Sequence, residues 1–182
     1  MTLVLAISGL HGSGKSTYAR ALSQAYRLRL VSAGQLFRQI AKKRGVTLEQ
    51  LTEDAKKDQE IDKLIDEATK REAEKGNVVL DGQLSGWMTR GKADVKIFFT
   101  APDDVRFARI ARRDKIPFEA AKKQTLMRES VQKERFNLLY GIDPSDLSIY
   151  DVIFDTNLQS IEKNINILKA IISEYLAEKA KK

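Results

Sequence analysis

The sequence contains no cysteine and a single histidine, His11. The absence of cysteine excludes disulfides, iron–sulfur clusters, thiolate zinc sites and cysteine nucleophiles. One histidine cannot form a multi-histidine metal site within one chain. Only 3 prolines and 10 glycines exclude collagen-like and low-complexity architectures. No apolar run approaches the roughly 20 residues that span a bilayer, and the N-terminal MTLVLAISG lacks the positive region of a signal peptide. We therefore expect a soluble, cytoplasmic protein.

The charge is unbalanced: 32 Lys and Arg against 25 Asp and Glu give a net charge of +7. Such a balance suits nucleic acid, an anionic surface or small polyanionic substrates. The basic residues recur through predicted helices, and the sequence has neither an RNA-binding motif nor an aromatic-rich basic strand. We therefore expect small phosphorylated ligands, without nucleic acid or membrane. A nucleic-acid-associated NTPase remains the alternative from another class.

Short apolar runs alternate with amphipathic and charged stretches along all 182 residues. The runs predict strands at 3–8, 28–32, 78–81, 95–99 and 152–155. Helices are predicted at 16–26, 35–44, 47–75, 102–113 and 118–139 and from 160 onward, with Pro102 as a first helical residue. This alternation predicts one α/β domain, residues 1–182, whose parallel sheet is covered on both faces. Ligands of such sheets bind beyond the carboxyl ends of the strands.

The first predicted strand runs directly into GLHGSGKS, residues 9–16, which matches the phosphate-loop pattern G-x-x-x-x-G-K-[ST]. Its glycines let the backbone wrap around an anion, and the following helix points its N-terminus at the phosphates. Lys15 should reach the β- and γ-phosphates, and the Ser16 hydroxyl should bind Mg²⁺. We interpret His11 as a backbone-shaping or solvent-facing residue. The predicted ATP-binding residues are Gly9, Leu10, His11, Gly12, Ser13, Gly14, Lys15, Ser16 and Thr17.

The rest of the sequence narrows the class of nucleotide-binding protein. The NKxD guanine signature of regulatory GTPases is absent. An arginine-bearing helix follows the second strand, and an arginine-rich segment follows the fourth. Kinases of small phosphorylated substrates need such cations to neutralise the transferred phosphoryl group.

Five segments together resemble the archaeal type of cytidylate kinase, within the nucleoside monophosphate kinases: ISGLHGSGKST, VSAGQLFRQIA, NVVLDGQLSGWM, ERFNLLYGID and SIYDVIFDT. The resemblance implies a three-layer P-loop kinase fold with a five-stranded parallel sheet. It also implies a helical acceptor-binding flap at about 33–75 and a lid at about 109–135. The implied reaction transfers the ATP γ-phosphoryl group to CMP, and to dCMP, with Mg²⁺. We expect a monomer. UMP, AMP or a non-nucleotide acceptor remains the alternative within the class.

The same resemblance implies an acceptor site. Ser32, Gly34 and Arg38 match the family's acceptor segment, and a guanidinium offers phosphate a bidentate fork. Asp81 would hold Mg²⁺ through water or order the acceptor site. Gln83 departs from the family, because many relatives carry arginine there; its amide could hydrogen-bond a pyrimidine edge.

Further arginines match the lid and the helix after it. Arg109 and Arg113, together with Arg112, lie at helical spacing on one face and could neutralise the transferring phosphoryl group. We predict Lys15, Arg109 and Arg113 as the catalytic residues. Downstream, Arg128 and Arg135 lie two turns apart and match arginines that reach phosphates in related enzymes. The acid often found between these two is Gln132 here.

Overall fold

The computed structural model of the chain describes residues 2–57, 60–179 and 181. It contains one sheet of five parallel strands in the order β2-β3-β1-β4-β5. The central strands are buried because helices cover both faces of the sheet. The α/β prediction is confirmed. The strands are β1 Val4–Gly9, β2 Arg29–Ser32, β3 Val78–Asp81, β4 Val95–Thr100 and β5 Val152–Asp155.

Two long helices cover one face of the sheet, where the largest apolar cluster lies. Tyr18 and Leu22 of the helix after β1, and Leu168 and Ile172 of the last helix, pack on side chains of the strands. The Tyr18 ring stacks on Phe99 with centroids 5.1 Å apart. The described helices are α1 Lys15–Ala25, α2 Ala33–Arg44, α3 Leu48–Lys57, α4 Glu60–Glu74, α5 Ser85–Met88, α6 Asp103–Asp114, α7 Phe118–Tyr140 and α8 Ile161–Lys179.

Helices α2, α3 and α4 are inserted between β2 and β3 and have a small core of their own. That cluster contains Ala41, Leu51, Ala55, Ile61 and Ile65. The end of α4 also packs under the sheet through Ala73. Because the three helices bury apolar surface mainly against each other, the insertion forms a compact unit beside the carboxyl ends of the strands.

Local sequence signals predicted most of the helix ends close to their positions in the structure. Thr47 and Gln50 form the predicted capping box, with Gln50 N donating to Thr47 Oγ1 at 3.1 Å and Thr47 N donating to Gln50 Oε1 at 2.9 Å. The charged stretch predicted at 47–75 is divided into α3 and α4, and residues 58 and 59 between them lie outside the described part. Pro102 is the N-cap of α6 and not its first helical residue, because its ψ of 145° is extended.

Strand register brings the predicted site residues to one edge of the sheet. Asp81 lies beside Ile7 of β1 and beside Ser32 of β2. Gly9, the first residue of the predicted phosphate loop, pairs with Phe99 of β4. The chain therefore leaves β1, β2 and β3 at adjacent points. None of the described helices is long and apolar enough to cross a membrane.

Candidate active site

The loop between β1 and α1 folds as a phosphate loop because two of its glycines meet neighbouring backbone. Gly9 has φ +146°, and a Cβ there would lie 2.1 Å from the carbonyl oxygen of Phe99. Gly12 has φ +77°, and its Cβ would lie 2.5 Å from the carbonyl oxygen of Arg106. Only glycine satisfies both the positive φ and the close approach. The loop is thus pressed against β4 and α6.

Lys15 begins α1 and folds back over the loop, where its Nζ donates to the carbonyl oxygen of Leu10 at 3.3 Å. Burial lowers the pKa of this ammonium, and the negative charges of Asp81 and Glu129 oppose that effect. A poorly solvated cation beside a glycine-rich loop at a helix N-terminus suits the binding of a phosphate anion.

Asp81, at the end of β3, joins the phosphate loop to the segment after β2. Its carboxylate is buried, and its Oδ2 accepts hydrogen bonds from the Ser16 hydroxyl at 2.7 Å and from the Ser32 hydroxyl at 3.2 Å. Carboxylate and hydroxyl oxygens are ligands that Mg²⁺ accepts. Within residues 2–57, 60–179 and 181, no three His, Asp or Glu side chains cluster as a metal site. A metal here would therefore keep water and phosphate oxygens in its remaining positions, as Mg²⁺ usually does.

The predicted acceptor residues lie next to this carboxylate. Arg38 is exposed on α2, and its Nη1 is 3.6 Å from the point where a Cβ on Gly34 would lie. The Ser32 Oγ is 3.8 Å from the same point. The structure thus brings Ser32, Gly34 and Arg38 together, with the guanidinium beside Gly34 and the Ser32 hydroxyl bonded to Asp81.

His11 is half-buried, and both its backbone and its ring contact other elements of the site. Its Nε2 lies 2.7 Å from Gln132 Oε1 and 3.1 Å from Gln83 Nε2. Its backbone N–H donates to Glu129 Oε1 at 3.1 Å. No sequence signal indicated the two ring partners, because they are 121 and 72 residues away in the chain. Gln83, predicted to read a pyrimidine edge, faces this imidazole.

Arg106 of α6 clamps the phosphate loop. Its side chain is 2% exposed. Its Nη1 donates to the His11 carbonyl oxygen at 2.7 Å and to Glu129 Oε1 at 2.8 Å, and its Nη2 donates to Asp103 Oδ1 at 2.6 Å. Burial alone would lower the pKa of Arg106, but the hydrogen bonds to Asp103 and Glu129 raise it on balance. One buried cation thus joins the loop to α6 and α7.

The lid arginines separate into two groups. Arg109 donates to Thr156 Oγ1 at 2.8 Å, and that hydroxyl donates to the carbonyl oxygen of Ser13. Arg113 instead forms an ion pair with Asp114, with Nε to Oδ1 at 2.7 Å. The predicted cluster on one face is therefore divided, because Arg109 is engaged by the segment after β5.

Arg128 and Arg135 of α7 also differ in their surroundings. Desolvation and the nearby charge of Arg113 lower the pKa of Arg128. Arg135 Nε lies 2.9 Å from Asp62 Oδ2 of α4. The approach is too oblique for a hydrogen bond, and both atoms lack a hydrogen-bond partner among the described residues. Arg128 therefore lies near Arg113 of α6, whereas Arg135 contacts the inserted helices.

A second contact joins the same two helices. The Tyr140 hydroxyl donates a hydrogen bond to Asp66 Oδ2. Burial is the main cause that raises the pKa of Asp66, to about 6, and the carboxylate of Asp62 adds to it while the Tyr140 hydrogen bond opposes it. Asp62 and Asp66 are one helical turn apart, so α4 presents two carboxyl groups to α7.

Comparison with known proteins identifies the family. A model described as "AAA domain" matches residues 8–134. A cytidylate kinase of Staphylothermus marinus is 48% identical over 97% of this chain and 99% of that protein. One from Ignicoccus hospitalis is 46% identical over 94% of this chain and 99% of that protein. The chain belongs to the cytidylate kinases. The fold is also that of a shikimate kinase from Bacteroides thetaiotaomicron, with a TM-score of 0.66 at 17% identity over 95% and 99% of the two chains.

Sequence reasoning missed two residues of this cytidylate kinase that shape the site, Arg106 and Thr156. Arg106 carried only a weak signal, an acidic residue three positions earlier in PDDVR that predicts an i,i+3 pair. Thr156 follows β5 and accepts from Arg109 while donating to the phosphate loop. Its place at the carboxyl end of a strand could have nominated it. The phosphate-loop motif includes His11 but gives no information about the distant side chains that contact its ring.

Proposed function

We propose that the protein transfers the γ-phosphoryl group of ATP to CMP, and to dCMP, giving ADP and CDP or dCDP. In addition to the family membership, one structural observation supports the proposal: the hydroxyls of Ser16 and Ser32 donate hydrogen bonds to the same Asp81 oxygen. The phosphate loop and the acceptor segment therefore converge on one carboxylate. A donor phosphate on the loop and an acceptor phosphate near Arg38 would meet beside it.

The proposed reaction is an in-line displacement. An acceptor phosphate oxygen is already a nucleophile, so positioning and charge neutralisation supply the catalysis without a general base. Lys15 would neutralise the transferring group, and Arg38 would orient the acceptor. Arg113 and Arg128 are neighbouring cations within the lid segment, and on closure they would join Lys15 at the transferring group. Arg109 would order the ATP side through Thr156.

Ser16 and Asp81 are the residues that would hold Mg²⁺, since their two oxygens lie 2.7 Å apart and match its preference for oxygen. When bound, Mg²⁺ would neutralise charge on the β- and γ-phosphates. Gln83 and Arg135 complete the proposed acceptor site. Arg135 would exchange Asp62 for the acceptor phosphate, because a dianion with three acceptor oxygens is the stronger partner for a guanidinium.

We place the inserted unit at about 33–75 in the role of the flap and the segment at about 109–135 in that of the lid. We expect an active monomer. Light scattering after size exclusion tests that expectation. ATP and CMP are cytoplasmic metabolites, and we assign the reaction to the cytoplasm.

An ADP-release assay with CMP, dCMP, UMP, AMP and GMP at equal concentration tests the proposed function. We expect CMP to be the best ribonucleotide acceptor, with little ADP released when no acceptor is present. Faster turnover of AMP would contradict the CMP assignment. ADP release stimulated by RNA in the absence of any monophosphate would contradict the kinase assignment.

A further inference from the structure

Both backbone polar groups of His11 are held from outside the phosphate loop. Its N–H donates to Glu129 Oε1 of α7 at 3.1 Å, and its carbonyl oxygen accepts from Arg106 Nη1 of α6 at 2.7 Å. Arg106 and Glu129 are themselves paired, with Nη1 donating to Oε1 at 2.8 Å. One ion pair therefore fixes the two peptide units on either side of the His11 Cα.

The first of these peptide units joins Leu10 to His11. The unit is trans and planar, so its carbonyl oxygen points opposite to its N–H. The His11 N–H points to Glu129, and the Leu10 carbonyl therefore points away from α7. Inside the loop this carbonyl accepts from Ser13 N at 3.2 Å and from Lys15 Nζ at 3.3 Å. The contact with Glu129 thus orients the carbonyl group that holds the Lys15 ammonium.

The second peptide unit joins His11 to Gly12. Its carbonyl oxygen points to Arg106, so the Gly12 N–H points the opposite way. A Cβ on Gly12 would lie 2.5 Å from the Arg106 carbonyl oxygen and 3.0 Å from Ile110 Cδ1, so α6 packs directly against this residue. In the part of the chain that the structure describes, the Gly12 N–H has no acceptor. A backbone amide of this kind is a group that binds phosphate in such loops.

The same ion pair lies within the two helices that carry the lid cations. Arg106 is one turn before Arg109 on α6, and Glu129 follows Arg128 on α7. The Arg106 side chain is 2% exposed, so water competes little for its hydrogen bonds. The shape of the phosphate loop and the places of the lid cations therefore depend on one buried contact.

We propose that Arg106 and Glu129 are positioning residues for the γ-phosphoryl group of ATP. Acting through the backbone of His11, they aim the Gly12 N–H and the Lys15 ammonium at the same phosphate. Positioning of this kind affects the transition state most, since a small misplacement of a catalytic group lowers the rate steeply. The inference rests on the proposed function, because it concerns the donor side of the same reaction.

The test compares Glu129→Leu with Glu129→Gln at a temperature where thermal melting shows both variants to be folded. Leucine cannot accept from the His11 N–H, so kcat/KM for ATP should fall by on the order of 10- to 100-fold, the cost of a small misplacement. Glutamine keeps an acceptor oxygen for that N–H and should stay within about threefold of wild type. The Kd for CMP alone, measured by calorimetry, should stay within about twofold in both, because Ser32 and Arg38 are distant, independent sites.

A double-mutant cycle with Lys15→Ala separates positioning from a purely structural role. Since Glu129 orients the group that holds the Lys15 ammonium, its loss matters less once that ammonium is gone. Glu129→Leu should therefore lower kcat by a clearly smaller factor in the Lys15→Ala background than in wild type.

The matched control for the cycle is Glu134→Leu. Glu134 is exposed on the same helix, where it accepts a hydrogen bond from Ser130, and its loss should leave kcat unchanged in both backgrounds. If Glu129→Leu does not fold, Arg106→Lys carries the same cycle, because lysine keeps the charge but loses the fork that serves His11 and Glu129 together.

Four outcomes would overturn the inference. Folded Glu129→Leu could keep the wild-type kcat, the losses could multiply in the cycle, Glu129→Gln could lose as much activity as Glu129→Leu, or the affinity for CMP could fall as much as kcat/KM for ATP. A wild-type enzyme that does not phosphorylate CMP would contradict the proposed function instead, so the two failures are distinguishable.

Discussion

The proposed phosphoryl transfer depends most directly on the positive charge of Lys15. Lys15→Ala should lower phosphoryl transfer by on the order of 10²-fold or more, the usual cost of a lost transition-state contact. The fold should survive, because the ammonium contacts one carbonyl oxygen of its own loop. Steady-state ADP release and thermal melting are the two measurements. Activity within about threefold of wild type, well short of the expected loss, would show that another cation takes this role.

A substitution at Arg38 tests the proposed acceptor site independently of the ATP site. Arg38→Lys keeps the charge but loses the planar fork, so CMP should bind about tenfold more weakly, the cost of one charge-assisted hydrogen bond. ATP affinity should be unchanged, because the phosphate loop is intact. Calorimetric titration of each nucleotide alone measures both. Equal losses for ATP and CMP would place Arg38 outside the acceptor site.

Helices α6 and α7 are held to the phosphate loop by the ion pair of buried Arg106 with partly buried Glu129. Arg106→Met should destabilise the protein by about 3 kcal/mol, because a partly buried carboxylate loses its partner. Denaturant unfolding measures the change. The exposed pair of Lys70 and Glu67 provides the control, and Lys70→Met should cost about 0.5 kcal/mol or less. Adding Glu129→Gln to Arg106→Met should recover part of the loss.

Helices α4 and α7 meet through Asp66 and Tyr140, and this contact predicts a pH dependence. Folding raises the pKa of Asp66 to about 6 from an ordinary 3.8. The folded state then holds a proton that the unfolded state lacks, so this group's contribution to stability falls as the pH rises from about 4 to about 6. Asparagine cannot take up this proton. The melting temperature of Asp66→Asn, relative to that of wild type, should therefore rise as the pH is raised from about 4 to about 6.

Asp143→Asn is the matched control for this titration. The pKa of Asp143 is lowered to about 2, first by the Ser145 hydroxyl. The folded form is therefore ionised from about pH 4 to 6, and the unfolded form, with the ordinary pKa of 3.8, from about pH 5. The difference from wild type should be flat between about pH 5 and 6, and between about pH 4 and 5 it should change in the direction opposite to that of Asp66→Asn. A flat difference for Asp66→Asn as well would contradict the buried state of that carboxyl group.

Ligand binding should stabilise the whole molecule in two independent ways. Mg·ATP at about 100 times its Kd should raise the unfolding free energy by about 2.7 kcal/mol. EDTA should remove much of that gain, because Ser16 and Asp81 would no longer hold the metal against the phosphates. CMP alone should raise the melting temperature with or without EDTA, since Arg38 and Ser32 hold it. A CMP effect that EDTA abolishes would place the metal on the acceptor side.

Local chemistry made much of the architecture predictable. The five strands and their alternation with helices follow from short apolar runs, and Thr47 with Gln50 marks a helix start within four residues. The end of α2 at Gly45 is likewise local, because its φ of +67° is the left-handed conformation that glycine adopts readily. The short helix α5 carried no comparable signal.

The phosphate loop, the parallel α/β fold and the resemblance to the cytidylate kinases were determined by the sequence itself, since each depends on neighbours along the chain. The long-range partners of His11, Arg106 and Arg135 were decided only by tertiary structure. Helical periodicity says which face a residue occupies but not which distant element covers it. Arg135 could thus be assigned to phosphate by its position on α7, whereas its contact with Asp62 requires α4 to pack there. The Gln83–His11–Gln132 triad exists only because the sheet brings the ends of β1 and β3 together beneath α7.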